Sequence, residues 1–422
     1  MRRALVLSAL FACAGSPESG QRFITIDSDA VATAQALGHA TVEELDKGVA
    51  VLAIDASELD ALTQAMHEQH QRCGGFMLHE SLADAQAAAR APEAKPAAAI
   101  DYRLDRAAAV KAVLPTIEAK RILGTIGELS AMKNRYYRSE SGAAASAWLR
   151  DRWRKLANRP EITVELFDQG YPQKSVIMTV PGTTRPDEVV VIGGHLDSIA
   201  RGGTAANAPG ADDDASGIAT IDEVVRALMA SNFRPERTVQ FMAYAAEEVG
   251  LRGSQAIVRE YKKRGVNVVG ALQLDMTNYQ GSDRDIWIID DHTSAAQNAF
   301  LIALIETYTD ATWGVDRCGY ACSDHASWNR AGVPASMPFE ARFRESNRSI
   351  HTAEDTLERS NNNAQHAAKF ARLAAAYAIE LAKGDVGRAA VAAQPERETH
   401  VPWMWLLLGL GGLIAVWRIR KR

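Results

Sequence analysis

The sequence predicts an α/β fold: a mostly parallel, mixed central sheet covered by helices on both faces, preceded by a small N-terminal unit. Three observations predict it. Between residues 100 and 384, apolar runs of strand length alternate with segments of helical period, the pattern of strands joined through crossover helices. Residues 189–194 form a continuous apolar run, as expected for a parallel strand buried on both faces. Soon after it, Ile218, Ile221, Val224, Val225 and Leu228 recur at the spacing of one helix face.

Taken in chain order, residues 1–14 read as an export signal. Arg2 and Arg3 precede an apolar stretch over residues 4–13, and Ala12-Cys13-Ala14 fits small-residue cleavage. A lipoprotein signal at Cys13 is the alternative, disfavoured by the bulky Phe11. Residues 15–96 read as a propeptide, with an ordinary accessory domain as the alternative. Within it, residues 23–26 and 49–54 are strand-like and residues 56–71 helical. An Ala/Pro-rich linker is expected over residues 83–99, because its composition buries little and suits proteolysis. Residues 97–384 form the main domain. Its strands fall at 189–194, 238–244 and 270–274, and its helices at 216–230, 252–264 and 363–383. A linker follows at 385–400, then a hydrophobic tail at 401–422. The uncharged part of that tail reaches roughly 25 Å as a helix, marginal for a bilayer. Its basic end and Trp403, Trp405 and Trp417 suit either a membrane anchor or a sorting signal removed by processing.

A formal net charge of -5, with 23% charged residues, offers no basic face for nucleic acid. Of four cysteines, Cys318 and Cys322 lie close together without further Cys or His partners at zinc spacing. In an exported chain that spacing reads as a short disulfide loop. There is no G-x-S-x-G for serine chemistry and no H-E-x-x-H zinc helix.

The chemistry sits where the expected strands end. The first runs into His195 and Asp197, the second into Glu247 and Glu248, the third into Asp275. Ligands of open α/β sheets bind beyond the carboxyl ends of strands. Any one of these segments alone is weak, since acidic residues often cap loops; their coincidence carries the weight. Asp212, Asp213 and Asp214 directly precede a helix. Three adjacent carboxylates exceed what a helix cap needs, and a cation would relieve their repulsion. His325 and His351 are further candidates. Three carboxylates and one hydroxide would balance two zinc ions, with neutral histidines completing the set.

The strings GGHLDS, APGADDDASG, AYAAEEVGLRGSQ, LQLDMTNY and CGYACSDHASW, with Ile350-His351-Thr352, resemble the bacterial leucyl aminopeptidases of the co-catalytic di-zinc family. The resemblance runs in order through residues 100–384 and extends weakly to EQHQRCGGFMLHE, similar to the propeptide of those enzymes. It implies the zinc-dependent exopeptidase fold and two zinc ions per chain. His195 and Asp275 would hold one, Glu248 and His351 the other, and Asp213 would bridge them, followed by a cis peptide to Asp214. Glu247 would be the general base for a zinc-bridged hydroxide, Asp197 would orient His195, and the Tyr320 hydroxyl would stabilise the oxyanion. His325 is given no zinc role. Met276, Ile289, Cys318, Tyr320, Cys322, Met337, Phe339, Phe343 and Ile350 would line an apolar pocket for Leu, Met or Phe. Plain core packing is the competing reading of some of these. Ser346 departs from a larger aromatic residue in the family, and the charges at Asp316, Arg317, Arg342 and Arg344 depart too, which opens the question of strict leucine preference. The implied protein is a monomer that is secreted, or periplasmic or membrane-tethered before release, and acts on peptides with a free N-terminus. Alternatives on the same fold are a one-zinc glutaminyl cyclase-like acyltransferase, a dipeptidase or carboxypeptidase, and a binding ectodomain without metal ligands.

Overall fold

The computed structural model describes residues 20–38, 41–46, 48–72, 74–90 and 100–387. The export signal, residues 91–99 of the linker, and the C-terminal linker and tail from residue 388 lie outside the described residues.

The early unit comprises β1 (Gln21–Asp27), α1 (Val31–Ala36), β2 (Thr41–Asp46), β3 (Val49–Asp55), α2 (Leu59–His70), β4 (Phe76–His79) and α3 (Leu82–Arg90). Its sheet has the order β2-β3-β1-β4 and is antiparallel throughout. Alternation sorts its side chains onto two faces. Ile24, Ile26, Leu52 and Ile54 pack against Leu59, Leu62 and Met66 of α2. On the other face Val51 packs against Ala85 and Ala89. The expected linker is therefore corrected over its first part: residues 82–90 are helical. Ala is a strong helix former, and two alanines small enough to sit flat on the sheet turn an apparently featureless segment into a packed helix.

The main domain begins with α4 (Ala107–Val113), α5 (Ala119–Ser130), α6 (Glu140–Leu156), β5 (Thr163–Phe167), β6 (Ser175–Val180), β7 (Arg185–His195), α7 (Ala215–Ala230) and β8 (Arg237–Tyr244). It continues through α8 (Arg252–Arg264), β9 (Asn267–Gln273), β10 (Ile286–Ile289), α9 (Ala295–Tyr308), β11 (Trp313–Asp316), α10 (His325–Arg330), β12 (Ala335–Ser336), β13 (Pro338–Phe339) and α11 (Gln365–Leu381). The central sheet runs β12-β9-β7-β8-β6-β5. Its β12, β9, β7 and β8 are parallel to one another, while β6 and β5 add an antiparallel edge. This is the mostly parallel mixed sheet expected.

One layer of helices seals one face, where α7 and α11 bury nearly every residue. There Ile218, Ile221, Val225 and Leu228 join Phe370, Leu373 and Tyr377 in one core. On the other face Ile257 and Tyr261 of α8 pack with Val191, Met242 and Trp328. A second sheet of order β11-β10-β13 was not anticipated; its strands are four residues or fewer, too short to show a period.

Gly270 on β9 marks how tightly the helices sit on the sheet. A Cβ there would lie 2.6 Å from Gln297 Oε1 and 2.7 Å from the Tyr377 hydroxyl. Gly270→Ala is expected to destabilise the protein by about 1–3 kcal/mol through overpacking, read as a lower urea midpoint with an unchanged slope. An unchanged midpoint would mean that α9 and α11 yield freely.

Candidate active site

Strands β9, β7 and β8 are neighbours, and their registers bring their carboxyl ends level. His195 pairs with Tyr244, and Gly193 with Gln273. Adjacent strands lie about 4.8 Å apart, so the residues that follow emerge within coordination reach of a common point. His195 ends β7, Asp275 follows β9 by two residues, and Glu247 and Glu248 follow β8 after a turn at Ala246. Asp213 arrives from the loop before α7, and His351 from the long segment after β13.

The functional atoms meet in the interior. His195 Nε2 lies 2.9 Å from Asp213 Oδ1 and 3.5 Å from Asp275 Oδ1. His351 Nε2 lies 3.2 Å from Asp213 Oδ2 and 2.7 Å from Glu248 Oε2. Among the described residues, two groups are suited to a metal ion: His195, Asp213 and Asp275, and Asp213, Glu248 and His351. Asp213 belongs to both. Every candidate ligand is at least 95% buried. The contact of Glu248 with His351 lacks hydrogen-bond geometry; both Glu248 oxygens, Asp275 Oδ1 and His351 Nε2 are buried without a hydrogen-bond partner. Buried polar atoms are rarely left so, and donors converging without bonding each other suit a shared cation. Two imidazoles with carboxylates are a donor set that zinc favours.

Electrostatics agree with that fit. Burial alone would lower the pKa of His195, yet Asp275, Glu247, Asp197 and Asp213 raise it well above the ordinary histidine range. His351 is likewise lowered by burial and raised further by Glu248 and Asp213. Burial alone would raise Asp213, but the close approach of both histidines holds it well below the usual carboxylate range. Burial pushes Glu248 up to about 7. Glu247 is raised well above its ordinary value by burial, then by Glu248, Asp324 and Asp275, with His195 opposing. The site holds positive charge wherever it can, and a divalent cation could replace the protons on its ligands.

A scaffold of carboxylates fixes the loops. Asp197 lies 3.5 Å from His195 Nδ1 and accepts from the Glu247 and Glu248 amides at 3.0 and 3.2 Å. Asp214 accepts from the amides of His195, Gly217 and Met276, tying three segments together. A Cβ at Gly194 would fall 2.9 Å from this carboxylate, so the close approach requires glycine. The peptide between Asp213 and Asp214 is cis. Asp355 accepts from the Asp212 and Asp213 amides. Sequence reasoning missed the roles of Asp214 and Asp355: the first was hidden in a run of three aspartates, and the second stands four residues past His351 in a segment without strand or helix.

All nine expected pocket residues come together. Met276, Ile289, Tyr320, Cys322, Met337, Phe339 and Ile350 form one buried cluster, with Cys318 and Phe343 packed on its edge. Cys318 and Cys322 are joined by a disulfide. The second sheet supplies Ile289 and Phe339 to this wall. His325 is buried at the start of α10 and belongs to neither ligand group.

The early unit lies directly over this site. Thr63 donates to the Glu248 carbonyl at 3.1 Å, and Leu78 N to the Gly250 carbonyl at 3.2 Å. The ring of His67 lies 4.6 Å from that of His351, and the Arg72 guanidinium 5.0 Å from the Tyr320 ring centre. A cavity of about 440 Å³ remains beside His351, lined by Gln64, His67, Glu68, Arg201 and Asn207 among others.

Known proteins share this arrangement. Residues 175–377 match the model of peptidase family M28. Leucine aminopeptidase 1 of Arthroderma otae is 37% identical over 306 residues, covering 69% of this chain and 81% of that protein. The chain belongs to peptidase family M28. Family and relatives together make it a hydrolytic aminopeptidase. Among solved structures, the LapA aminopeptidase of Legionella pneumophila matches with a TM-score of 0.75 at 27% identity, covering 86% of this chain and 99% of that one. LapB from the same organism matches with a TM-score of 0.76 at 26% identity, covering 86% and 100%. These shares exceed what residues 100–387 supply, so the likeness reaches into the early unit. The relative in sequence is fungal and those in structure bacterial, so the likeness is not confined to bacteria.

Stripping metal with a chelator is expected to lower the unfolding midpoint, and added zinc to restore it. Ligand binding at 100-fold over its Kd contributes about 2.7 kcal/mol. Identical midpoints with and without metal would contradict a metal centre here.

Proposed function

We propose that this aminopeptidase is an exported zinc enzyme with two ions per chain, held latent by its early unit, that removes bulky apolar N-terminal residues from peptides. The observation that carries the reading is the pair of candidate ligand groups sharing Asp213, with Glu247 acting on His195 and a buried apolar cluster around Met276. His195 and Asp275 would hold one ion, Glu248 and His351 the other, and Asp213 both. Zinc bound there would acidify a coordinated water and polarise the scissile carbonyl.

The chain's own residues do the rest. Glu247 takes the proton of the attacking water and returns it to the leaving amine; its raised pKa suits a group that must hold a proton and release it. Asp197 orients His195 through Nδ1 and, through the Glu247 amide, keeps the base in register. The Tyr320 hydroxyl, by family resemblance, donates to the developing oxyanion. Met276, Ile289, Met337, Phe339 and Ile350 form a buried apolar cluster and would line a pocket for Leu, Met or Phe. At its edge Ser346 donates to the Phe343 carbonyl, leaving more room than an aromatic side chain would. Two of the departing charges are engaged by neighbours: Arg317 pairs with Asp290 at 2.9 Å, and Asp316 accepts from the Phe343 amide.

Three features support an exported, latent form. Residues 1–14 have the pattern of an export signal. The Cys318–Cys322 bridge suits an oxidising compartment. The early unit, read as a propeptide spanning residues 15–96, lies on Glu248, His351 and Tyr320, where a substrate's first residue would have to enter. Residues 401–422 would tether the chain or direct its sorting, while no helix among the described residues is long and apolar enough to cross a membrane. The active form is proposed to be a monomer.

Hydrolysis of a panel of aminoacyl anilides, with zinc counted in the same sample, tests the core of this reading. Two ions per chain with Leu, Met or Phe preferred is the expected result. One ion per chain would favour the cyclase-like alternative, and two ions without cleavage of free-amine substrates the carboxypeptidase or dipeptidase one. Glu247→Ala is expected to retain zinc and lose about 10²–10⁴-fold in turnover; full turnover would remove Glu247 from the mechanism. Proteolysis within residues 91–99 is expected to raise activity, and an uncut chain as active as the cut one would argue against latency.

A further inference from the structure

Arg135 takes part in none of the roles above, yet it is fully buried and bonded to the loops that carry His195 and Asp213. It stands between α5 and α6 in the string Asn-Arg-Tyr-Tyr. Among the described residues its guanidinium forms no salt bridge with a carboxylate. Instead Nε donates to the Leu196 carbonyl at 2.9 Å, Nη1 to the Pro209 carbonyl at 2.6 Å, and Nη2 to the Gly210 carbonyl at 2.8 Å. Nη1 also reaches the Leu129 carbonyl at 3.4 Å.

Its backbone is held as firmly. Arg135 N donates to Ser198 Oγ at 3.0 Å, whose hydroxyl donates to the Ala208 carbonyl at 2.8 Å. Gln173 donates to the Arg135 carbonyl at 2.8 Å.

The positions of these acceptors give the contacts their meaning. Leu196 separates His195 from Asp197, and Gly210 lies three residues before Asp213. One rigid planar fork therefore spans the turn that carries His195 and the turn that carries Asp213. A buried cation is costly unless compensated. Here the compensation comes from four carbonyl acceptors and from the field of Asp214, Asp355, Asp213 and Asp197, the same carboxylates that build the site. A lysine would keep the charge but could not present donors to three acceptors in fixed directions.

We infer that Arg135 is a positioning residue for the metal pair: its guanidinium clamps the His195–Asp197 turn to the Gly210–Asp213 turn and sets the separation of the ligands on them. The inference rests on the metal-site reading proposed above. The guanidinium's hydrogen bonds all go to backbone carbonyls, so it acts through backbone placement, as supporting groups around metal sites do.

The test compares Arg135→Lys, Ser198→Ala and Asp213→Asn with the unaltered full-length chain, each zinc-loaded. Zinc release into excess chelator is followed on the intact chain, and kcat and KM on the same preparation after proteolytic activation. Arg135→Lys is expected to release zinc roughly 10- to 100-fold faster and to lose kcat over the same range, with KM unchanged. Ser198→Ala, which removes one brace and leaves the guanidinium, is expected to shift both in the same direction by less. Unaltered zinc release and kcat in Arg135→Lys, with only the thermal midpoint lowered, would reduce Arg135 to a fold-stabilising role and overturn the inference. If Arg135→Lys does not fold, Ser198→Ala decides by the same criteria. Asp213→Asn separates the two levels: if it loses zinc while the Arg135 variant keeps it, the clamp alone is wrong; if it too keeps zinc and turnover, the metal-site reading fails with it.

Discussion

Asp213 is shared between two ligand groups inside a pocket crowded with carboxylates, and the rest of the architecture answers to that constraint. Asp197, Asp212, Asp214, Glu247, Glu248, Asp275 and Asp355 are all buried around it. Such groups repel one another and resist desolvation, so a protein can gather them only where cations and amide donors compensate. The donors are visible. The Asp197, Asp214 and Asp355 carboxylates each accept from two or three backbone amides. In this way the charge that threatens the fold also orders the loops.

The parallel sheet makes such crowding achievable. Three adjacent strands end at one level, so three independent loops start from a rigid edge about one strand spacing apart. The packing of α7 and α11 on one face and α8 on the other leaves those strands no freedom to slide. Precision in the site is therefore inherited from the core rather than generated locally. The segment bearing His351 has no such strand behind it. It is instead anchored through Asn347, which accepts from the Ser349 amide and donates to Asp355, the residue that also holds the Asp213 amide.

The early unit uses the same exposed edge. Its contacts fall on the Glu248 and Gly250 carbonyls, on the ring of His351 and on the face of Tyr320. A cation over an aromatic face and a ring against a ring are contacts of modest strength.

The sequence by itself determined what depends on local pattern and residue chemistry. The runs at 189–194 and 238–244 have a strand's length and apolarity, the spacing from Ile218 to Leu228 is a helix face, and the coincidence of His195, Glu248 and Asp275 just past three expected strands marks one sheet edge as a candidate site. Tertiary structure decided what depends on partners distant in the chain. Residues 82–90 are low in information until Val51 is seen beneath Ala85 and Ala89. The short strands of the second sheet exist because β10 finds β11 and β13. Asp214, Asp355 and Arg135 act through backbone groups, and a backbone acceptor or donor leaves no mark on the sequence of the loop that supplies it; their work became visible only when folding brought those loops within hydrogen-bond reach.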